Sequence, residues 1–171
     1  MSEYLEYTLD KFTFKVAADR FYTPEGVWAK ANDGRVTVGV SDFFQQRNGD
    51  VAFAELKDVG TAVSAQDEFA TIETIKVDIE LSSPISGTIA EVNEKLELEA
   101  EVINQDPYGA GWLVVIEASD WVTDQANLLT PASYLEMMKT QAQERRRKTY
   151  EPKSGYSTVQ RHRQNLRHGQ P

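Results

Sequence analysis

The feature that most constrains the fold of this chain is a series of short runs in which apolar and polar residues alternate. Alternation with a period of two is typical of a strand that has one face in a core. The clearest run alternates four apolar with three charged residues: Ile75, Val77, Ile79 and Leu81 with Lys76, Asp78 and Glu80. We expect the apolar set to face the core and Lys76 to point to solvent.

Turn signals separate these runs at intervals of roughly ten residues. Pro24 and Gly26 precede one strand, residues 32–34 (Asn-Asp-Gly) are typical of a tight hairpin, and residues 48–50 (Asn-Gly-Asp) turn the chain again. Such spacing predicts a mainly β domain, a small barrel or sandwich.

Two helices are predicted from capping residues. Ser41 can cap a short helix after the second strand of the hairpin. Near the C-terminus, Thr130 followed by Pro131 is typical of a helix start.

The Gly-, Ser-, Gln- and Arg-rich residues 149–171 are predicted to be a disordered basic tail. Residues 1–20 are interpreted as an N-terminal extension and residues 21–148 as the domain with its helix.

Composition excludes several kinds of active site. The chain has no cysteine, and its two histidines, His162 and His168, both lie in the tail. The domain therefore has no residue for thiol catalysis, for an imidazole general base or for a typical zinc site, although a pair of carboxylates stays possible. We expect no catalytic residue and no metal ligand in the domain. Residues 1–136 carry 9 Lys and Arg against 25 Asp and Glu, whereas residues 137–171 carry 9 against 2.

No apolar run approaches the roughly eighteen residues of a membrane helix, and no signal-peptide pattern occurs. We therefore expect a cytoplasmic protein without a membrane partner.

Lys76 is the one basic residue between Lys57 and Lys95. By itself such a residue is usually a solvated surface lysine, because lysine is mostly exposed and its free amine is protonated near neutrality. No Gly, Asn, Asp or Pro stands between Phe69 and Val77, so the pattern also allows one long strand through this region.

Three segments give the chain a family resemblance. They are residues 22–28 (YTPEGVW), residues 72–87 (IETIKVDIELSSPISG) and residues 104–112 (NQDPYGAGW). Together they make residues 21–140 resemble the H protein of the glycine cleavage system, a lipoyl-carrying protein. The resemblance implies a flattened lipoyl-type barrel, the barrel-sandwich hybrid, with the acceptor lysine at a hairpin tip.

The resemblance also implies a function. Lys76 would bear lipoate in amide linkage, and the lipoate-attaching enzyme would read Glu73, three residues before it, and Gly87, eleven after it. The chain would then be a carrier rather than an enzyme, since the dithiol of lipoate supplies the sulfur chemistry that a cysteine-free polypeptide lacks. The partners of such a carrier in glycine cleavage are the aminomethyltransferase, glycine decarboxylase and dihydrolipoamide dehydrogenase.

One departure from the family pattern affects the arm cleft. Family members commonly have His-Glu-Trp where this chain has Gly26-Val27-Trp28. The missing glutamate lines the cleft that receives the loaded arm, and Val27 cannot pair with an amine. Glu80 matches another acidic position of that cleft. For this reason the sequence favours a lipoate-binding relative that serves a sulfur-transferring, heterodisulfide-reductase-like complex, with aminomethyl shuttling as the alternative.

Two other classes of protein compete with these interpretations. A biotinyl carrier is disfavoured because biotin sites have methionine on both sides of the lysine, whereas here the neighbours are Ile75 and Val77. An unmodified module could bind RNA or acidic protein through its basic residues: Arg145, Arg146, Arg147, Lys148, Arg161, Arg163 and Arg167. The acidic body would repel phosphate, which disfavours nucleic acid.

Overall fold

The computed structural model describes residues 3–150, with side chains described up to residue 148. The chain divides into two units, the first ending at Met137 and the second beginning at Met138. Of the tail predicted at residues 149–171, residues 151–171 lie outside the described part, and residues 149 and 150 are the last two of a helix. The predicted disorder of that tail stays a prediction.

Within the described residues the chain forms eleven strands: β1 Tyr4–Leu9, β2 Phe12–Ala17, β3 Phe21–Tyr22, β4 Val27–Asn32, β5 Arg35–Val40, β6 Val51–Leu56, β7 Ala62–Val63, β8 Glu68–Thr74, β9 Asp78–Ser82, β10 Gly87–Val92 and β11 Val114–Ala118. The helices are α1 Asp42–Asn48, α2 Val102–Gln105, α3 Trp121–Gln125 and α4 Pro131–Tyr150, with a 3-10 helix at Glu94–Glu97.

The strands of the first unit form two main sheets around one core. A six-stranded sheet has the order β3-β4-β5-β11-β10-β7, and a three-stranded sheet has the order β6-β8-β9. Buried side chains from both sheets share one hydrophobic cluster, for example Val38 and Ile116 from the first with Ile72 and Leu81 from the second. The predicted mainly β architecture with a C-terminal helix is confirmed.

The tight hairpin and the two helix caps predicted from the sequence are present in the structure. Asp33 and Gly34, both with positive φ, connect β4 to β5. The Ser41 side chain accepts a hydrogen bond from Phe44 N at 3.1 Å and so caps α1. Thr130 Oγ1 accepts from Ser133 N at 3.2 Å at the start of α4. These side chains satisfy amides that a helix start leaves without partners.

The N-terminal extension is a two-stranded hairpin, β1 paired with β2. Along β2, Phe12, Phe14 and Val16 alternate with Thr13 and Lys15. Phe14 packs edge-on against Phe43 of α1 with ring centroids 5.2 Å apart. The extension is therefore folded onto the domain; the boundary at residue 20 itself stays a prediction.

Among the helices of residues 3–150, none has the length and apolar character that a membrane crossing requires.

Candidate functional site

Lys76 lies at the tip of a tight hairpin. Strand β8 ends at Thr74 and β9 begins at Asp78, so residues 75–77 form the tip. The Thr74 amide donates to Val77 O at 2.8 Å. The Thr74 hydroxyl donates to the same oxygen at 3.0 Å and accepts from the amides of Val77 at 3.0 Å and Lys76 at 3.2 Å. Periodicity left this tip open, and the resemblance predicted it.

The alternation is wrong about two residues of the tip. Ile75 is 73 % exposed and Val77 is 50 % exposed, although both were expected to face the core. Farther along the run the expectation holds, since Leu81 is wholly buried and Ile79 is partly buried. The hairpin extends past the end of the core, so neither face of its tip is buried and both sets of alternating side chains are exposed there.

The Lys76 side chain is exposed and lies beside a glycine. A Cβ placed on Gly49 would be 3.6 Å from Lys76 Cε and 3.7 Å from Nζ. Gly49 has φ of 82°, a region in which other residues are strained. The amine is therefore accessible to solvent, and the neighbouring Gly49 has no side chain that could cover it. This arrangement fits amide attachment of an acyl group.

The sheet that carries Lys76 is acidic on its outer side. Glu73 on β8 lies directly opposite Asp78 on β9, and Glu80 lies opposite Thr71. Asp78 and Glu80 are exposed and Glu73 is half-buried. The sequences of β6, β8 and β9 contain no Lys or Arg, so no cation from these strands offsets the carboxylates.

Gly87 is held by close backbone packing. It starts β10, opposite Ala118 of β11 and Val63 of β7. A Cβ at Gly87 would be 2.1 Å from the carbonyl oxygen of Glu117 and 2.8 Å from Ile116 Cγ2. This packing is enough to require glycine here, independently of any enzyme that reads the position. Its role in recognition, like that of Glu73, stays a prediction.

The two residues assigned to the arm cleft lie in different environments. Val27, on β4 in the six-stranded sheet, is wholly buried in the core cluster. Glu80, on β9 in the three-stranded sheet, is exposed. The assignment of both to one cleft stays a prediction.

A surface cavity of about 670 Å³ is lined by Glu25, Ser82 and Asp124, among others. Ser82 lies at the end of β9 farthest from the tip.

Residues 104–112 comprise the last two residues of α2 and a hydrogen-bonded loop that follows it. The Asp106 carboxylate accepts from Ala110 N at 2.8 Å, and the Tyr108 hydroxyl donates to Lys15 O at 2.7 Å. Trp28 Nε1 donates to Val40 O at 2.9 Å and to Pro107 O at 3.1 Å. These hydrogen bonds fix the loop to β2 and β4.

Arg20 is a buried cation that sequence reasoning missed. Its guanidinium lies 4.4 Å from the Trp28 ring centroid and donates to Tyr108 O at 3.0 Å. Asp19 accepts from Arg20 Nε at 2.8 Å and pairs with Lys30 at 3.1 Å. Burial acts to raise the pKa of Asp19, but the hydrogen bonds from Arg20 and Lys30 outweigh it and lower that pKa to about 2. Because guanidinium groups are rarely buried, only the contacts could reveal this one.

The described part of the chain offers no group of three or more His, Asp or Glu residues able to hold a metal ion. Of the basic residues considered for RNA, Arg145 to Lys148 are exposed on α4, whereas Arg161, Arg163 and Arg167 lie outside the described residues.

Comparison with known proteins connects this site to one family. The family model "Glycine cleavage H-protein" matches residues 20–141. The glycine cleavage system H protein 4 of Aquifex aeolicus is 38 % identical over 138 residues, which cover 81 % of this chain and 80 % of that protein. The H protein of Geobacillus thermodenitrificans is 41 % identical over 117 residues, covering 68 % and 91 %.

A solved structure is similar as well. The crystal structure of an H protein from Mycobacterium marinum matches with a TM-score of 0.62 at 33 % identity, over 68 % of this chain and 94 % of that one. The matched region contains the hairpin tip, Gly87 and the loop after α2. This chain belongs to the glycine cleavage H-protein family.

Proposed function

We propose that this protein carries lipoate in amide linkage on Lys76 and presents the arm to the enzymes of glycine cleavage as an H protein. The observation that carries the proposal is the exposed amine of Lys76 at a hairpin tip closed by Thr74, in a chain of this family. Members of the family are non-catalytic carrier subunits, and the chain is one of them.

The residues of the chain have three tasks in this function. The hairpin holds the lysine away from the core, the exposed carboxylates around it give partners a charged surface to recognise, and the packed domain stays rigid while the arm moves. Lipoate, when attached, would supply a disulfide that accepts a one-carbon aminomethyl group on one sulfur while its S–S bond opens and the other sulfur becomes a thiol. Acylation removes the positive charge of Lys76.

The proposed partners are the lipoate-attaching enzyme, the aminomethyltransferase, glycine decarboxylase and dihydrolipoamide dehydrogenase. The sulfur-transferring complex that the substitution at Val27 favoured has no support among the relatives described above, each of which bears the glycine cleavage name. The alternative from the sequence, aminomethyl shuttling, is supported better. A cytoplasmic location stays a prediction.

Intact-mass measurement tests the attachment. The protein is coexpressed with a lipoate–protein ligase in medium containing lipoate, and we expect a gain of one lipoyl group. Lys76→Arg should abolish this gain, whereas Lys57→Arg and Lys95→Arg should keep it. An unmodified wild-type protein, or a modified Lys76→Arg variant, would refute the proposal.

A second measurement tests the cargo. The lipoylated protein is mixed with glycine decarboxylase, and exchange of radiolabelled bicarbonate into glycine is followed. We expect exchange that depends on the lipoylated protein and is absent with Lys76→Arg. Lipoylation without exchange would keep the carrier but reject glycine cleavage as its system.

A further inference from the structure

The turn beneath Lys76 is held by a side chain more than fifty residues away in sequence. Asn104, in α2, donates from Nδ2 to Gly49 O at 2.9 Å. Its Oδ1 accepts from Val51 N at 2.9 Å. Nδ2 also donates to Gln45 Oε1 at 3.2 Å. One side-chain amide therefore joins the middle of α1, the turn after this helix and the first residue of β6.

The same turn is bonded to the hairpin tip. Ile75 N donates to the carbonyl oxygen of Asp50 at 3.2 Å, and Asp50 lies between the two residues that Asn104 holds. The Lys76 side chain passes beside Gly49. A continuous series of contacts thus runs from Asn104 through residues 49–51 to the tip.

Asparagine is the residue type that this place requires. The turn presents a carbonyl oxygen at Gly49 and an amide at Val51, so the side chain must donate and accept at once, which a primary amide does and a carboxylate does not. The pairing of β6 with β8 is irregular between Val51 and Phe53. A bulge of this kind disrupts the regular hydrogen bonding of a strand pair, so the side chain of Asn104 reinforces the pairing where it is weakest.

We propose that Asn104 is a positioning residue for the lipoyl acceptor. It fixes residues 49–51, and through the bond from Ile75 to Asp50 it fixes the orientation in which Lys76 meets the lipoate-attaching enzyme. The inference rests on the proposed function of Lys76, and it adds a residue outside the hairpin to the recognition of the lysine.

Asn93 provides a matched control. It too is an amide that joins distant backbone, because it donates to Ala110 O at 2.9 Å and to Trp112 O at 2.8 Å and accepts from Lys95 N at 3.3 Å. None of these partners belongs to the turn or the tip. Asn93→Ala should therefore destabilise the domain about as much as Asn104→Ala without disturbing Lys76.

The experiment compares Asn104→Ala and Asn93→Ala in the unlipoylated full chain by amide hydrogen exchange, followed by steady-state lipoylation with a lipoate–protein ligase. We expect Asn104→Ala to speed exchange at Ile75 and Val51. We also expect it to lower kcat/KM by about tenfold, mostly through KM, because the ligase must then order a tip that Asn104 no longer fixes, at a cost comparable to one net hydrogen bond. Asn93→Ala should keep both near wild-type. Asn104→Asp, which keeps the acceptor for Val51 and loses both donors, should behave as Asn104→Ala and serves if the alanine variant does not fold.

Unchanged exchange at Ile75 in the Asn104 variants would overturn the inference, as would an equal fall in kcat/KM for Asn93→Ala. Faster exchange with unchanged lipoylation would also overturn it, because the tip would then be held by Asn104 without consequence for the enzyme. If the wild-type protein accepts no lipoate, the proposed function fails instead, and that result is seen separately from the exchange data.

Discussion

The hydroxyl of Thr74 donates to the carbonyl oxygen of Val77 and accepts from the amide of the same residue, both at 3.0 Å. With the amide of Lys76 as a further donor, this one side chain closes the loop that carries the lysine. A hydroxyl both donates and accepts, so threonine here replaces the Gly or Asn by which a tight hairpin is usually recognised.

Thr74→Val should loosen the tip, because valine has a similar shape but no hydroxyl. We expect a loss of about 1 kcal/mol in the free energy of unfolding, since the exposed amides can turn to water. Urea unfolding measures this loss, and hydrogen exchange should show faster exchange at Lys76 and Val77. Thr74→Ser keeps the hydroxyl and should stay close to wild-type. Equal exchange in the valine and serine variants would contradict this role.

The tip of this hairpin is the part of the site that the period-two pattern could not predict. Period-two alternation indicated the mainly β domain correctly because the pattern follows from burial, which is local to each strand. The tip depends on a side chain that caps a loop and on contacts to residues 49–51, which no period describes. The resemblance located the tip, because it draws on other members of the family rather than on a pattern within this chain.

The same limit explains the residues that were missed. Arg20 and Asn104 act through backbone atoms far along the chain, at Tyr108 for the first and at Gly49 and Val51 for the second. A polar residue of this kind has no signal of its own in one sequence. Ser41, in contrast, caps a helix within three residues of itself, so its role was predictable.

Gly87→Ala separates packing from recognition. The added Cβ would meet the Glu117 carbonyl oxygen, so a backbone shift is needed, and we expect a loss of about 1 to 3 kcal/mol in the free energy of unfolding. Thermal and urea unfolding measure it, and the neighbouring exposed Thr88→Ala should change stability by less than about 0.5 kcal/mol.

Glu73→Gln is the complementary variant, because glutamine replaces glutamate at nearly the same size and so requires no backbone shift. If the lipoate-attaching enzyme reads the carboxylate, Glu73→Gln should slow lipoylation while the free energy of unfolding stays the same or rises. A stable Gly87→Ala protein that is nevertheless not lipoylated would show that recognition at Gly87 exceeds its role in packing.

Asp78→Asn should stabilise the domain. Asp78 lies directly opposite Glu73 with no Lys or Arg on the three strands of that sheet, and like charges in opposite positions destabilise a strand pair. We expect a gain of about 0.2 to 1 kcal/mol at low ionic strength, and a smaller gain in high salt because the charges are screened. Urea unfolding at two salt concentrations measures both.

Glu55→Gln is the control for that gain. Glu55 lies on the same sheet opposite Thr71, so removing its charge relieves no direct pair. An equal gain from Glu55→Gln would mean that the acidic sheet as a whole, rather than the pair of Glu73 and Asp78, is the source of the repulsion.

Asp19 should make stability depend on pH. Its pKa in the folded protein, about 2, is below the ordinary value of 3.8, so the charged form is favoured by folding. The stabilisation is therefore fully present above about pH 4 and is lost as the pH falls toward 2. Asp19 is partly exposed, so we expect about 1 kcal/mol rather than the larger figure that the full shift would give.

Asp19→Asn measures this contribution. The variant should unfold at lower urea concentration than wild-type at pH 7, because Arg20 stays buried against Trp28 after losing its charged partner. The gap between the two proteins should narrow between pH 4 and pH 2 as the wild-type carboxylate becomes protonated. Asp58→Asn, at an exposed turn position, should follow wild-type throughout. A gap that is constant with pH would mean that Asp19 acts through its shape and hydrogen bonds alone, and that the buried guanidinium is stabilised by the aromatic rings and Tyr108 O without need of a counter-charge.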